Sequence, residues 1–208
     1  MSFTKRKTVF ISGSAYEYGK FESTGRAFVR DLTQALIKND FKVVSGFGSG
    51  VGNYIVEGAL SELYLEKKGA LKDHLGIFPF PTRADATVAG QDPADGLTDQ
   101  LTTIWERYRT DIISQAGIAI FIFGNKLEDI AVREADGMLK EFEIARSHQA
   151  LLIPVGASGY TSEKLWKHII EKYDDYFGTR EKFGLYEQLG NPCAGPEHLI
   201  DVILQIVL

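Results

Sequence analysis

Short apolar stretches rich in β-branched and aromatic residues alternate along the chain with longer segments in which apolar residues recur every three or four positions. This alternation is typical of βαβ units, in which helices cover a parallel sheet. Ile118–Phe123 is apolar throughout, and continuous hydrophobicity indicates a strand buried on both faces. The sequence therefore predicts an α/β fold, a Rossmann-like parallel sheet flanked by helices.

The same pattern predicts where the strands and helices lie. We expect strands at residues 8–12, 42–45, 75–79, 118–123 and 151–155, and helices at 23–39, after 52, at 98–115, at 136–147 and after 161. Residues 80–96 are rich in Pro, Asp, Thr and Gly, which predicts a long irregular loop of the kind that often carries function. Because no repeat or interdomain linker is visible, we expect residues 1–208 to form a single domain.

Composition argues against several classes of protein. The longest apolar run has the length of a strand, far below the roughly 20 residues that a membrane-spanning helix needs. The N-terminal residues lack a signal-peptide cleavage pattern, so we expect a cytoplasmic protein. The net charge of −5, without a basic stripe, disfavours nucleic-acid binding. With a single cysteine, Cys193, and dispersed histidines, we expect neither a disulfide, a bound metal nor a resident cofactor.

Two glycine loops follow predicted strands. Gly13-Ser14-Ala15 follows the first strand, and a second loop, containing Gly46, Gly48, Ser49 and Gly50, follows the second. Glycine lets backbone N–H groups approach phosphate oxygens, and both loops open at the carboxyl edge of a parallel sheet. Neither loop fits G-x-G-x-x-G in its usual position after the first strand. The loops therefore indicate a phosphate-binding site, with tight turns that need positive φ as the alternative.

Five segments resemble the SLOG superfamily over most of the chain. They are V-F-I-S-G-S at 9–14, S-G-F-G-S-G-V-G at 45–52, I-A-I-F-I-F-G-N-K at 118–126, K-E-F-E-I-A at 140–145 and I-P-V-G at 153–156. Within this superfamily, which also contains the LOG-type phosphoribohydrolases, the last three segments are most similar to the SLOG domains at the C-terminus of Thoeris antiphage effectors.

The resemblance implies a function and partners. It implies a non-catalytic sensor domain that binds a cyclic ADP-ribose-type nucleotide, the product of a TIR-domain protein, and allosterically activates an NAD-depleting effector. It further implies a homo-oligomer, a dimer or tetramer, and a sirtuin-like NAD hydrolase domain in the parent protein.

A LOG-type phosphoribohydrolase, cleaving a nucleoside monophosphate, is the alternative. In such enzymes an Arg before the fourth strand and a Glu after it form the catalytic pair, and these match Arg109 and Glu141. The Pro-Gly-Gly of the motif is replaced here by Phe123-Gly124-Asn125, about a dozen residues are inserted, and Met138 stands in place of the Thr. These departures weaken hydrolysis as the activity. Single-stranded DNA binding, known in another branch of the superfamily, disagrees with the acidic charge.

A cyclic ADP-ribose-type ligand carries phosphates, riboses and adenine, so it calls for cations, a carboxylate and an apolar wall. Besides the two glycine loops, the candidates are Phe80, Arg83, Arg109, Gly124, Asn125 and Glu141. Each charged or polar candidate has a plain alternative: a solvated loop arginine for Arg83, surface helix charges for Arg109 and Glu141, and a turn cap for Asn125. Spacing predicts that Leu101, Ile104, Trp105, Tyr108 and Ile112 form a buried helix face, with Trp105 as a core residue.

Overall fold

A parallel sheet forms the centre of the molecule. The computed structural model describes residues 3–65, 69–78 and 97–208. Within these ranges the sheet has five strands in the order β3-β2-β1-β4-β7, all parallel, and a separate antiparallel pair consists of β5 and β6. The strands are β1 (Thr8–Ser14), β2 (Lys42–Ser45), β3 (Leu75–Ile77), β4 (Ile118–Phe123), β5 (Asn125–Glu128), β6 (Ala131–Glu134) and β7 (Leu151–Pro154).

Helices connect and cover the strands. The described ones are α1 (Phe3–Arg6), α2 (Gly25–Lys38), α3 (Gly52–Leu65), α4 (Leu71–His74), α5 (Leu97–Ile113), α6 (Asp136–Ser147), α7 (Tyr160–Glu171), α8 (Tyr173–Phe177), α9 (Phe183–Gln188) and α10 (Pro196–Val207). Helix α2 packs on α3 and α10, whereas α6 packs on α5 and β7. The predicted α/β class, a Rossmann-like sheet flanked by helices, is confirmed.

The strand order determines where a ligand can enter. From β1 the chain proceeds outward through β2 to β3, and it then returns to the other side of β1 with β4 and β7. Strand β1 pairs with β4 from Val9–Ile118 to Ser14–Phe123, and both strands are buried along most of their length. In open α/β sheets a crevice forms outside the carboxyl ends of the strands at such a reversal point. The ends of β1 and β4 therefore mark the expected site.

The hairpin β5–β6 differs from the prediction. The sequence predicts neither a strand nor a helix between residues 124 and 135, but this segment forms two paired strands with Leu127 opposite Val132 and a turn at Asp129, whose φ is +57°. Every residue of β6 is exposed, so the segment lacks the buried apolar face from which strands are predicted. Its pairing is local, because an antiparallel pair needs only a short turn.

The predicted apolar face of α5 is also partly wrong. Ile112 is buried, but Ile104 is 46% exposed, and Trp105 and Tyr108 are only half-buried. The Tyr108 hydroxyl donates a hydrogen bond to the carbonyl oxygen of Phe78. The side chain of Leu101 lies outside the described residues. The C-terminal end of α5 is buried in the core, whereas Trp105 and Arg109 in the middle of the helix border a cavity.

The helices in the described ranges include none that combines the length and the apolar character needed to cross a membrane.

Candidate functional site

A cavity of about 270 Å³ opens at the carboxyl ends of β1 and β4, where the strand order predicts a ligand site. Its walls come from the two glycine loops, from α5, and from the hairpin together with the N-terminus of α6. The lining residues are Ser12, Gly13, Ser14, Gly48, Ser49, Trp105, Arg109, Lys126, Ala135, Asp136, Gly137, Met138, Lys140 and Glu141.

The two glycine loops pack on each other at the rim. The Ala15 backbone N–H donates to the Ser49 carbonyl oxygen at 2.8 Å. A Cβ at Gly48 would lie 1.9 Å from the Gly13 carbonyl oxygen, and one at Gly50, whose φ is +70°, would lie 1.9 Å from the Ala15 carbonyl oxygen. Only glycine permits this approach. The close packing of the two loops therefore explains why glycine is needed at these positions, in addition to the predicted phosphate contact.

The glycine-loop candidates divide according to their place in this packing. Gly13, Ser14, Gly48 and Ser49 line the cavity, whereas Ala15 and Gly50 form the loop contact and Gly46 is buried behind it. Their role in ligand binding stays a prediction.

Glu141 and Arg109 meet at the floor of the cavity. Glu141 is 8% exposed, and its Oε2 accepts a hydrogen bond of 2.5 Å from the Ser12 hydroxyl. Arg109 Nε lies 3.6 Å from Glu141 Oε1, beyond hydrogen-bond distance, and has no hydrogen-bond partner although it is buried. Burial raises the pKa of the Glu141 carboxyl, while Ser12 and Arg109 oppose that rise. The structure thus brings together the two residues that the sequence singled out as a pair.

The guanidinium of Arg109 is held from two further directions. Its Cζ lies 5.3 Å from the centroid of the Trp105 ring, a cation–π distance. A terminal nitrogen, Nη2, approaches Gly137 so closely that a Cβ there would lie 3.1 Å from it. With its side chain only 14% exposed, Arg109 is fixed in the cavity wall. Of the two interpretations given for Arg109, the solvated surface charge disagrees with this burial.

The N-terminus of α6 faces the same cavity. Lys126, on β5, binds the Asp136 carboxylate at 2.9 Å, and this hydrogen bond holds the pKa of that carboxyl below its usual value. Unpaired backbone N–H groups and the helix dipole make a helix N-terminus favourable for anions. Together with Lys126 and Lys140, the first turn of α6 gives the cavity a cationic side.

Gly124 and Asn125 join the walls of the cavity without lining it. Asn125 is buried, and its Oδ1 accepts from the backbone N–H groups of Tyr16 and Glu17 at 2.9 and 3.1 Å. The Gly124 N–H donates to the Ser14 carbonyl oxygen, and its own carbonyl oxygen accepts from Ala135. These bonds hold the loop after β1, the end of β4 and the start of α6 in one arrangement. The side chain of Asn125 thus caps a turn of the backbone, which was the alternative given for this residue to a contact with the ligand.

The remaining candidates, Phe80 and Arg83, lie outside the described residues. Conversely, the cavity includes residues that the sequence reasoning did not select: Ser12, Trp105, Lys126, Lys140 and the first turn of α6. Lys126 could have been predicted as a site residue from its position, because it lies three residues after the end of the central strand β4, where α/β folds bind ligands. Among the described residues no group of His, Cys, Asp and Glu is arranged to hold a metal ion.

These features define what the cavity can bind. It offers hydroxyls and backbone N–H groups on one side, a buried carboxylate and guanidinium at the floor, lysines at the mouth and one aromatic side chain. Carboxylates bind ribose hydroxyls, cations and helix N-termini bind phosphates, and aromatic rings stack on bases. The chemistry of the cavity fits a nucleotide.

Comparison with known proteins shows that the chain is similar to part of several longer proteins named ThsA. It is 35% identical to the NAD(+) hydrolase ThsA of Bacillus cereus (strain MSX-D12) over 206 residues, covering 98% of this chain and 40% of that protein. It is 37% identical to the ThsA proteins of Cytobacillus dafuensis, over 206 residues, and Enterococcus faecium, over 188 residues. Those alignments cover 97% and 88% of this chain and 40% and 36% of the relatives.

The chain therefore spans well under half the length of these relatives. The resemblance to SLOG domains of Thoeris effectors is confirmed. The family described as Sir2- and TIR-associating SLOG matches residues 2–208, and the chain belongs to this family, STALD.

Proposed function

We propose that this chain is the sensor region of a ThsA-type NAD hydrolase and that its cavity binds a cyclic ADP-ribose-type nucleotide, which activates NAD cleavage elsewhere in the parent protein. The observation that carries the proposal is the floor of the cavity. There a buried Arg109 Nε has no hydrogen-bond partner, because its ion pair with the Glu141 carboxylate, at 3.6 Å, is too long for a hydrogen bond. A buried polar group left unpaired costs stability, and a ligand group that pairs with it recovers that cost.

The other walls supply what the rest of such a ligand requires. The N-terminus of α6 and Lys126 are suited to a phosphate, and the Glu141 carboxylate is suited to ribose hydroxyls. The relatives are named as NAD hydrolases and extend well beyond this chain, which supports assigning catalysis to another part of the parent protein.

As mechanism, binding shifts an equilibrium between an inactive and an active arrangement of an oligomer, a dimer or tetramer of the parent protein. The ligand must prefer the active arrangement by about 5.5 kcal/mol to move the ratio from 1:99 to 99:1. Contacts that exist only when phosphate, ribose and base are all engaged can supply this preference.

Calorimetric titration of the chain with isomers of cyclic ADP-ribose, and with NAD, ADP-ribose and AMP, tests the proposal. We expect one cyclic isomer to bind more tightly than the other ligands, AMP included, and to be recovered intact. Arg109→Glu should weaken that binding at least about 30-fold, because losing one partner of a buried charged contact costs about 2 to 5 kcal/mol.

The matched control is Arg107→Glu, two residues away on the exposed face of α5, which should change affinity less than about 3-fold. Thermal melts of both variants exclude unfolding as the cause. If the Arg109 variant kept wild-type affinity, or if no nucleotide bound the wild-type chain, the proposal would be wrong.

A LOG-type phosphoribohydrolase is the second candidate, because Arg109 and Glu141 do meet in the cavity. Hydrolysis needs a carboxylate free to act on the ribose. Glu141 can face a ribose in either role, but Phe123-Gly124-Asn125 stands in place of the Pro-Gly-Gly of the hydrolase motif and Met138 in place of its Thr, so sensing is the better-supported function. Release of free adenine from AMP by the wild-type chain during the same titrations, but not by Glu141→Gln, would make hydrolysis the better-supported function.

A further inference from the structure

The cavity has an aromatic wall as well as a polar floor. Among the described residues that line it, Trp105 is the only aromatic one; apart from the glycines and the apolar Ala135 and Met138, the other lining side chains carry hydroxyls, cations or carboxylates. These polar groups serve the phosphates and riboses of the proposed ligand. The base is the one part of a nucleotide that they leave unassigned.

Helix geometry places Trp105 at a distance suited to the base. Trp105 and Arg109 are four residues apart on α5, so their side chains share one face of the helix and are separated by about 6 Å along its axis. The indole and the guanidinium are in contact, with 5.3 Å between Cζ and the ring centroid. Since a base is attached directly to its ribose, a ribose held at Glu141 and Arg109 brings its base to the indole.

We propose that Trp105 is the base-recognition residue of the cavity and that its indole stacks on the purine ring of the bound nucleotide. This inference rests on the proposed function, and it adds the residue that makes the cavity prefer a nucleotide over a sugar phosphate. Every base has a π-face, so stacking gives affinity for a base with little discrimination among bases.

A different role for Trp105 has to be separated from this one. Its ring also contacts the Arg109 guanidinium and so contributes to holding that side chain in place. A residue that acts only through Arg109 affects every ligand that uses Arg109, whether or not the ligand has a base. Stacking affects only ligands that carry a base.

AMP and ribose 5-phosphate, which differ only in the base, are the probes. We expect Trp105→Leu to weaken AMP binding about 10-fold, the effect of losing one base–aromatic stack, and to change ribose 5-phosphate binding less than 2-fold. Trp105→Phe, which retains a flat ring, should restore most of the AMP affinity. Tyr64→Leu, which alters an exposed aromatic residue of α3 outside the cavity, is the matched control.

Indole fluorescence gives a second readout. The chain has two tryptophans, so emission from Trp105 is obtained as the difference between the wild-type chain and Trp105→Phe. We expect AMP to quench this emission and ribose 5-phosphate to leave it unchanged.

Equal loss of affinity for both probes in Trp105→Leu would overturn the stacking role and leave Trp105 as a positioning residue for Arg109. Unchanged affinity for AMP would overturn any role in binding. Failure of AMP, ADP-ribose and every cyclic isomer to bind the wild-type chain would remove the proposed function and this inference with it.

Discussion

At the level of single residues, Glu141 connects the stability of the fold to the chemistry of the cavity. Its carboxyl is buried, which raises its pKa above the usual value near 4.5 despite the opposing effects of Ser12 and Arg109. Between that value and the higher folded-state pKa, the folded chain binds more protons than the unfolded chain. The free energy of unfolding therefore falls as pH rises through this window, and the penalty is fully present above the folded-state pKa.

Glu141→Gln removes this penalty, because an amide does not ionise and can still accept a hydrogen bond from Ser12. We expect the stability of the variant relative to wild type to increase as pH rises from about 4.5. The attraction of Arg109 acts only where Glu141 is ionised and is already included in the net rise of its pKa, so the slope of the stability difference against pH is the quantity to measure. Urea unfolding of both chains from pH 4 to 8 provides it, and a difference that is flat or falls with pH would contradict the argument.

Asp136 places a carboxylate at the N-terminus of α6, where we propose that a phosphate of the ligand binds. Its exposed carboxylate binds Lys126 and lies close to the backbone N–H groups that favour an anion. Asp136→Asn removes this competing charge. We expect affinity for a phosphate-bearing nucleotide to rise about 2- to 5-fold, corresponding to about 0.3 to 1 kcal/mol for a charge at a helix end.

The control for this prediction is Asp129→Asn in the turn of the hairpin, which removes the same charge away from the helix N-terminus. Titration of both variants with the same nucleotide separates the local effect from the change in net charge. Weaker binding in Asp136→Asn would show that the carboxylate contributes to the site instead of competing with the ligand.

Sequence reasoning could identify some of these residues and not others. Arg109 and Glu141 are found through the resemblance to the LOG-type phosphoribohydrolases, because they match the catalytic Arg and Glu of those enzymes in position. Ser12 lies within a strand, and Trp105 has the helical spacing of a core residue, so neither differs in sequence from residues with purely structural roles. What distinguishes them is burial and proximity to groups distant in sequence, such as the 2.5 Å bond from Ser12 to Glu141.

At the level of elements, the two glycine loops show that one sequence pattern can serve packing and binding together. Their glycines allow the loops to contact each other, and that contact positions Ser14 and Ser49 at the cavity. The sequence predicts the loops but not their mutual contact, because that depends on the pairing of β1 with β2. The hairpin β5–β6 was not predicted because strand prediction relies on a buried apolar face, which this hairpin lacks.

Gly48→Ala tests the loop contact. The added methyl group would lie 1.9 Å from the Gly13 carbonyl oxygen, so the backbone must move. We expect a loss of about 1 to 3 kcal/mol in the free energy of unfolding, typical of overpacking, together with weaker nucleotide binding because Ser49 shifts with its loop.

Gly184→Ala is the matched control for Gly48→Ala. A Cβ at this position in α9 meets no atom within 4 Å, so we expect stabilisation by about 0.5 to 1 kcal/mol. Urea denaturation measures both changes. A Gly48 variant as stable as wild type would mean that the loops separate without cost.

At the level of the whole molecule, the alternation of strands and helices was enough to predict the parallel sheet, because crossover helices require strands buried on both faces. The alternation does not predict the order of the strands in the sheet. The structure shows that this order reverses between β1 and β4. A ligand in this cavity would contact β1 and the helices α5 and α6, which are far apart in the sequence. Binding there therefore acts on the unfolding of the chain as a whole.

This leads to a prediction about global stability. A ligand that binds only the folded chain stabilises it by about 2.7 kcal/mol at a concentration 100 times its Kd. For a chain of this size the corresponding rise in Tm is about 5 to 10 °C. Differential scanning calorimetry with the best-binding cyclic ADP-ribose isomer should show this rise in full for wild type and Arg107→Glu, and a rise of at most about 3 °C for Arg109→Glu. A rise that persisted in full in Arg109→Glu would place the binding site elsewhere on the molecule, because linkage requires the stabilisation to fall with the affinity.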